Sequence, residues 1–249
     1  MRRRRQGLPE RGEAIVAQHL AHWQHLDHAE RALLLDDTDW LLRRKHWEAS
    51  AGFALDDTIR VVIAAQAALL ILGLTRDHYR MVSAIIVYPA GAMATGERAG
   101  PVPGTRTDEP IAIHGLAQDR RGPIIVAWDQ ARASARHPER GHNVVFHEFA
   151  HKLDMLDGVV DGTPPVGAAA RRPWVAVCTE VFTDLRHGNP RPPLRDYGAT
   201  DPGEFFAVAT EAFFDSAAEL AANEPRLYAA LADFYRQDPA RRVGMGPGR

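Results

Sequence analysis

Asn143-Val144-Val145-Phe146-His147-Glu148-Phe149-Ala150-His151-Lys152-Leu153-Asp154 is the stretch on which the reading of this chain turns. Asn143 is a ready N-cap, because its side-chain oxygen can accept from the free amides of a first helical turn. Val144, Val145, Phe149 and Leu153 supply apolar faces for burial, so a helix is predicted from about Asn143. On a helix, residues four apart lie on one face, one turn above the other, so His147 and His151 can bind a single ion. Glu148 stands beside them, placed to take a proton from a water on that ion. Zinc lowers the pKa of such a water to about 7. One Zn2+ per chain is therefore the expected cofactor, and Glu148 the expected general base.

A hydrolytic zinc centre needs a third protein ligand and an open fourth position. Asp157 lies where one class of zinc peptidases keeps that ligand, but the class needs a glycine where this chain has Asp154. Asp154, one turn from His151, is better suited to accept a hydrogen bond from a ligand imidazole. Further on, Gly203-Glu204-Phe205-Phe206-Ala207-Val208-Ala209-Thr210-Glu211-Ala212-Phe213-Phe214 reads as a buried helix. A carboxylate on such a helix is costly unless paired or metal-bound. Glu204 and Glu211 fall on nearly the same face, so one can hold the ion while the other orients a ligand. Residue types alone leave open which does which.

Outward from the motif, Glu10 to Leu34 has helical spacing, and Asp36-Asp37-Thr38-Asp39 reads as a break before a new helix. Asp56 to Leu72 is apolar nearly all round and is predicted to be a central helix. Ser83 to Tyr88, Ile111 to His114 and Ile124 to Trp128 read as short strands, with Ala90 to Pro110 a loop long enough to serve as a lid. Gly158 to Pro173 reads as a loop. Helices follow near Trp174 to Arg186, Pro202 to Phe214 and Glu224 to Arg236. This order makes the fold class α+β, mainly helical with a small mixed sheet.

Composition narrows the field further. The net charge of −2 creates no global field that would draw nucleic acid or an anionic membrane. Met1-Arg2-Arg3-Arg4-Arg5 is followed by no apolar stretch, so it is not read as a secretory signal. The longest apolar run, Val61 to Leu74, is too short to span a bilayer. The single cysteine, Cys178, excludes an intramolecular disulfide and a thiolate zinc site, and it fits a reducing, cytoplasmic compartment.

Three blocks carry a family resemblance: 147–154, then 196–208 (Asp-Tyr-Gly-Ala-Thr-Asp-Pro-Gly-Glu-Phe-Phe-Ala-Val), and 58–67 (Thr-Ile-Arg-Val-Val-Ile-Ala-Ala-Gln-Ala). They resemble the Mlc titration factor A family of zinc peptidases, over roughly residues 35 to 235. The resemblance implies a zincin-like core similar to that of anthrax lethal factor, here in a domain over 35–242. Residues 1–34 then form an N-terminal tail and helix, and 243–249 a loose tail. In that family the third ligand is a Glu seven residues after a Tyr, which selects Glu204 with Tyr197 and leaves Glu211, like Asp154, to support the ligands. Tyr197 would then donate to the oxyanion of the tetrahedral intermediate. The resemblance also implies aminopeptidase-like action on short peptides and binding to a transcriptional repressor similar to Mlc. A rival reading makes the chain an anti-repressor that sequesters such a regulator, with a structural or vestigial zinc, using apolar patches near Trp40 and Trp47. Direct nucleic-acid or membrane partners are not expected.

Overall fold

The computed structural model describes residues 7–50, 52–90, 93–94, 98–99, 106–107, 111–112 and 122–244. Helices α1 (Gly12–His19), α2 (His28–Arg44) and α3 (Asp57–Leu70) come first, with strand β1 (His46–Ala49) between the last two. Strand β2 (Ala84–Tyr88) follows α3. Then come the two-residue strands β3 (Met93–Ala94), β4 (Arg98–Ala99), β5 (Arg106–Thr107) and β6 (Ile111–Ala112), and β7 (Ile124–Ala127). The rest is helical: α4 (Trp128–Arg136), α5 (Val144–Asp154), α6 (Ala168–Arg186), α7 (Pro202–Asp215), α8 (Ala217–Asn223), α9 (Pro225–Tyr235) and α10 (Pro239–Gly244).

The main sheet has the order β1-β2-β7 and is parallel throughout, in register His46↔Ala84 and Ile85↔Ile124. The antiparallel pairing lies elsewhere, in the short ladders β3-β6 and β4-β5. These ladders fall within and just beyond the stretch from Ala90 to Pro110 that reads as a loop. Most of that stretch, with any lid role, lies outside the described residues, as do Ile113 and His114 of the predicted strand. Strand β1 has no counterpart in the sequence reading. His-Trp-Glu-Ala has no β-branched residue, and as an edge strand it is half exposed, so it lacks a buried run. With it, β1-α3-β2 forms the parallel crossover that such a sheet requires.

Helix boundaries differ from expectation in three places, the first being that Glu10 to Leu34 is not one helix but α1, a short turn over Ala21–His25 and the start of α2. Asp36-Asp37-Thr38-Asp39 does not break the chain but lies inside α2. Thr38 Oγ1 donates back to Leu34 O (2.6 Å), Arg76 Nε binds Asp37 (2.6 Å), and Asp39 pairs with Arg43 one turn on. With Asp36 also paired to Arg76, each residue of the run finds a partner while the chain stays helical. The real start is Asp27, whose carboxylate accepts from Glu30 N while Glu30 answers to Asp27 N, a reciprocal capping box. Helix α6 begins at Ala168, with Pro173 inside its early turns rather than in a preceding loop.

Helix α3 is buried along almost its whole length and packs against α1, α2, α4 and α5. Its one amide side chain, Gln66, donates to Val62 O and to Ala131 O (3.1 Å), so its burial leaves the nitrogen satisfied. Residues before position 35 join the same core: Val16, Leu20, Trp23 and Leu26 are buried in it. Val243 and Gly244 belong to α10, while 245–249 lie outside the described residues. Phe206, Phe213 and Phe214 of α7 pack with Tyr235 and hold α7 in place. Among the described residues no helix is long and apolar enough to cross a membrane.

Lys45 ends α2 in an unusual place. It is only 6 % exposed, donates to Tyr79 O (2.6 Å) and sits over the Trp40 ring (4.7 Å). Burial lowers its pKa from 10.5 to about 8. Between those values the unfolded chain holds a proton that the folded chain has released, so stability rises with pH there. Lys45→Met should remove that rise. Urea unfolding at pH 7.5 and pH 10 should show wild type gaining about 1–2 kcal/mol on the variant, once partial screening is allowed for. Equal pH slopes in the two proteins would show that the ammonium is not desolvated.

Candidate metal centre

Helices α5 and α7 pack face to face, and the site lies between them. Asn143 caps α5, its side-chain oxygen accepting from Val145 N and Phe146 N (3.1 Å each). The cap fixes the first turn, and His147 and His151 follow on one face. Asp201 caps α7 by accepting from Glu204 N (2.9 Å), with Pro202 in the first turn. Glu204 thus stands in the first turn of its helix, where the free amides favour a carboxylate.

The two helices bring three donor atoms together. Glu204 Oε2 lies 2.9 Å from His147 Nε2 and 3.6 Å from His151 Nε2, and the two nitrogens are 3.2 Å apart. Among the described residues, His147, His151 and Glu204 are the one group of this kind able to hold a metal ion. Burial by itself would raise the Glu204 pKa, but hydrogen bonds and charge from both imidazoles hold it well below the usual carboxylate range. Glu148 is 2 % exposed, and its Oε2 has no hydrogen-bond partner. Burial lifts its pKa to about 7 against the pull of the neighbouring imidazoles. Its carboxyl thus combines a raised pKa with an oxygen that no protein donor reaches.

Glu211 lies on the other side of His147, fully buried. Its Oε1 accepts from His147 Nδ1 (2.8 Å) and Arg195 (2.6 Å), and its Oε2 accepts from the Asn143 backbone N–H (2.6 Å) and His142 Nδ1 (3.0 Å). Burial would raise its pKa, yet these hydrogen bonds and the Arg195 charge bring it to about 2. A carboxylate on Nδ1 fixes the tautomer and leaves Nε2 to face Glu204. The structure therefore separates two carboxylates that spacing left equivalent: Glu204 faces the imidazole Nε2 atoms, and Glu211 backs His147.

Asp154 does not take the hydrogen bond from a ligand imidazole that its position suggested. Its Oδ2 accepts from Gly162 N (3.0 Å), and its Oδ1 has no partner. The chain turns sharply after α5, at Gly158 with φ 104°, and brings the Gly162 amide back to Asp154. Tyr197 sits on a single turn, Asp196–Ala199, with its ring centre 6.0 Å from that of His147. Its phenol pKa is raised by burial, then by the charge of Glu204 and a hydrogen bond to it. Trp40 and Trp47 are partly buried and pack against the core, and Trp40 also lies under Lys45 and Arg76. Sequence reasoning missed Arg195. No motif or spacing in the chain marks it.

Known proteins match this chain over nearly all its length. A family model described as glucose-regulated metallo-peptidase M90 matches residues 1–236. An uncharacterized protein of Synechocystis sp. is 35% identical over 236 residues, covering 93% of this chain and 86% of the relative. Mlc titration factor A of Serratia proteamaculans is 30% identical over 243 residues, covering 91% of each chain. Its namesake in Salmonella typhi is 30% identical over 220 residues, covering 86% of this chain and 82% of the relative. The His–His–Glu cluster therefore lies inside the matched residues 1–236, and the chain, similar also to the Mlc titration factor A proteins, belongs to the glucose-regulated metallo-peptidase M90 family.

Proposed function

We propose that this metallopeptidase-family protein is a zinc peptidase that removes residues from the N-terminus of short peptides, with Glu148 as general base and Tyr197 as oxyanion donor. The observation that carries the reading is the mutual spacing of the three donor atoms. Two nitrogens and an oxygen each about 2.0–2.1 Å from one tetrahedral ion stand about 3.3 Å apart. The observed separations, 3.2, 2.9 and 3.6 Å, bracket that value. Two imidazoles and one carboxylate also match the donor set of hydrolytic zinc sites. Zinc bound there supplies a water of lowered pKa and polarises the scissile carbonyl.

The chain's own groups do the rest. Strand β7 pairs with β2 on one side and ends the described sheet on the other, and α5 packs against it. An extended peptide can add to that edge and lie across His147 and His151. Glu148 takes the proton of the attacking water as its oxygen joins the carbonyl carbon. The Tyr197 hydroxyl donates to the oxyanion that forms. Glu148 then passes the proton to the leaving nitrogen as the C–N bond breaks.

Digestion of a peptide library, read by mass spectrometry, tests the proposal. Purified protein should release N-terminal residues, lose that activity after treatment with a chelator, and regain it with added zinc. Undiminished hydrolysis by the stripped protein would overturn the metal-dependent reading. Cuts confined to internal bonds would overturn the aminopeptidase part.

The name of the Mlc titration factor A relatives supports a second reading, binding of a transcriptional repressor. The readings are compatible, since a bound regulator could control access to the cleft. Repressor binding kept by a Glu148→Gln protein that no longer hydrolyses peptides would separate them.

A further inference from the structure

We propose that Arg195 is a positioning residue that acts through Glu211 to fasten the Tyr197 turn to α7, setting the phenol in register with the metal ligands. The inference rests on the peptidase reading above for what Tyr197 does, though not for how the turn is held.

Tyr197 needs such a fastening. The residue is 46 % exposed, so apart from the phenol's hydrogen bond to Glu204 packing does little to fix it. The turn that carries it is short and held within itself by Gly198 N–H to Arg195 O (3.0 Å) and Thr200 N–H to Tyr197 O (3.1 Å). It leans on α7 at Gly198, where an added Cβ would meet Val208 at 3.4 Å. The turn also packs on α6, but packing of this kind sets no direction for the Tyr197 side chain. Arg195 opens the turn and reaches Glu211 at 2.6 Å. Because Glu211 is fully buried and already holds His147 Nδ1, its carboxylate cannot swing to follow a moving arginine. One rigid anion thus ties a ligand imidazole and the Tyr197 turn to the same point on α7. A guanidinium–carboxylate bond is both strong and directional, which an apolar contact is not.

Two measurements on the full chain test the idea. In metal-free protein, Arg195→Gln should speed hydrogen exchange of the Gly198 and Thr200 amides by about tenfold or more, with α5 and α7 unchanged. Arg195→Lys, which keeps the charge, should restore part of the protection. In zinc-loaded protein, Arg195→Gln should lower kcat about tenfold with KM within about threefold and metal content unchanged. The same substitution in a Tyr197→Phe background should change kcat by less than about twofold, because the group it positions is already gone. An equal loss in both backgrounds, or unchanged amide exchange, overturns the proposal. Should zinc-loaded wild type fail to cleave peptides at all, the peptidase reading falls, and the exchange comparison alone decides how the turn is fastened.

Discussion

Glu148→Gln should leave the metal in place and cut peptide hydrolysis by about 10²–10⁴-fold. Glu148 is not among the three atoms that converge, so metal binding does not need it. Glutamine has nearly the same shape, so packing in this closed position is preserved, but its amide cannot take a proton from water. The free Oε2 of Glu148 is the feature that makes the loss specific. Buried carboxylate oxygens are normally hydrogen-bonded, and this one is left available beside the two imidazoles. The check is kcat/KM on a peptide released by the library digest, beside metal content per chain. Turnover within about threefold of wild type at full metal content would remove Glu148 from the role of base.

Glu204→Ala should have the opposite signature, with the metal itself lost. Glu204 supplies the carboxylate oxygen among the three donors, and its removal leaves two imidazoles, too few for a closed centre. Metal affinity should fall by more than the 10–100-fold typical of losing a residue that merely orients a ligand. Glu204→Asp should fall nearly as far, because withdrawing the oxygen by one methylene breaks a separation of 2.9 Å from His147 Nε2. Competition with a chromophoric chelator measures both variants. Affinity equal to wild type in Glu204→Ala would mean that another group closes the site. A larger loss from Glu211→Gln than from Glu204→Ala would mean that the two carboxylates exchange roles.

Much of the architecture is legible because strong local signals are not contradicted by tertiary context. The Asp56 cap and the apolar run after it set α3, and of the strand read over Ile124 to Trp128 all but Trp128, which opens α4, is strand. Misreadings arise where a distant group satisfies what looks locally like a stop. Asp37 reads as a helix breaker until Arg76 is brought to it, and His46 to Ala49 becomes a strand because Ala84 to Val87 offers it a partner.

The candidate site divides the same way. Sequence alone determined that His147, Glu148 and His151 share one helix and that the imidazoles stand one turn apart, because helical repeat is a property of local backbone hydrogen bonds. It also confined the third donor to a face of α7 that holds both Glu204 and Glu211. Residue types left that choice open and the family resemblance pointed to Glu204; in the tertiary structure it is Glu204 that faces the imidazole Nε2 atoms. That choice depends on the rotation and depth at which α7 packs against α5, which the aromatic core around Phe206, Phe213 and Tyr235 sets. The meeting of His147 with Glu211 across 64 residues, and of Glu211 with Arg195 across a turn, leaves no periodic trace in the chain. Such contacts arise from the packing of whole elements, where no local repeat records them.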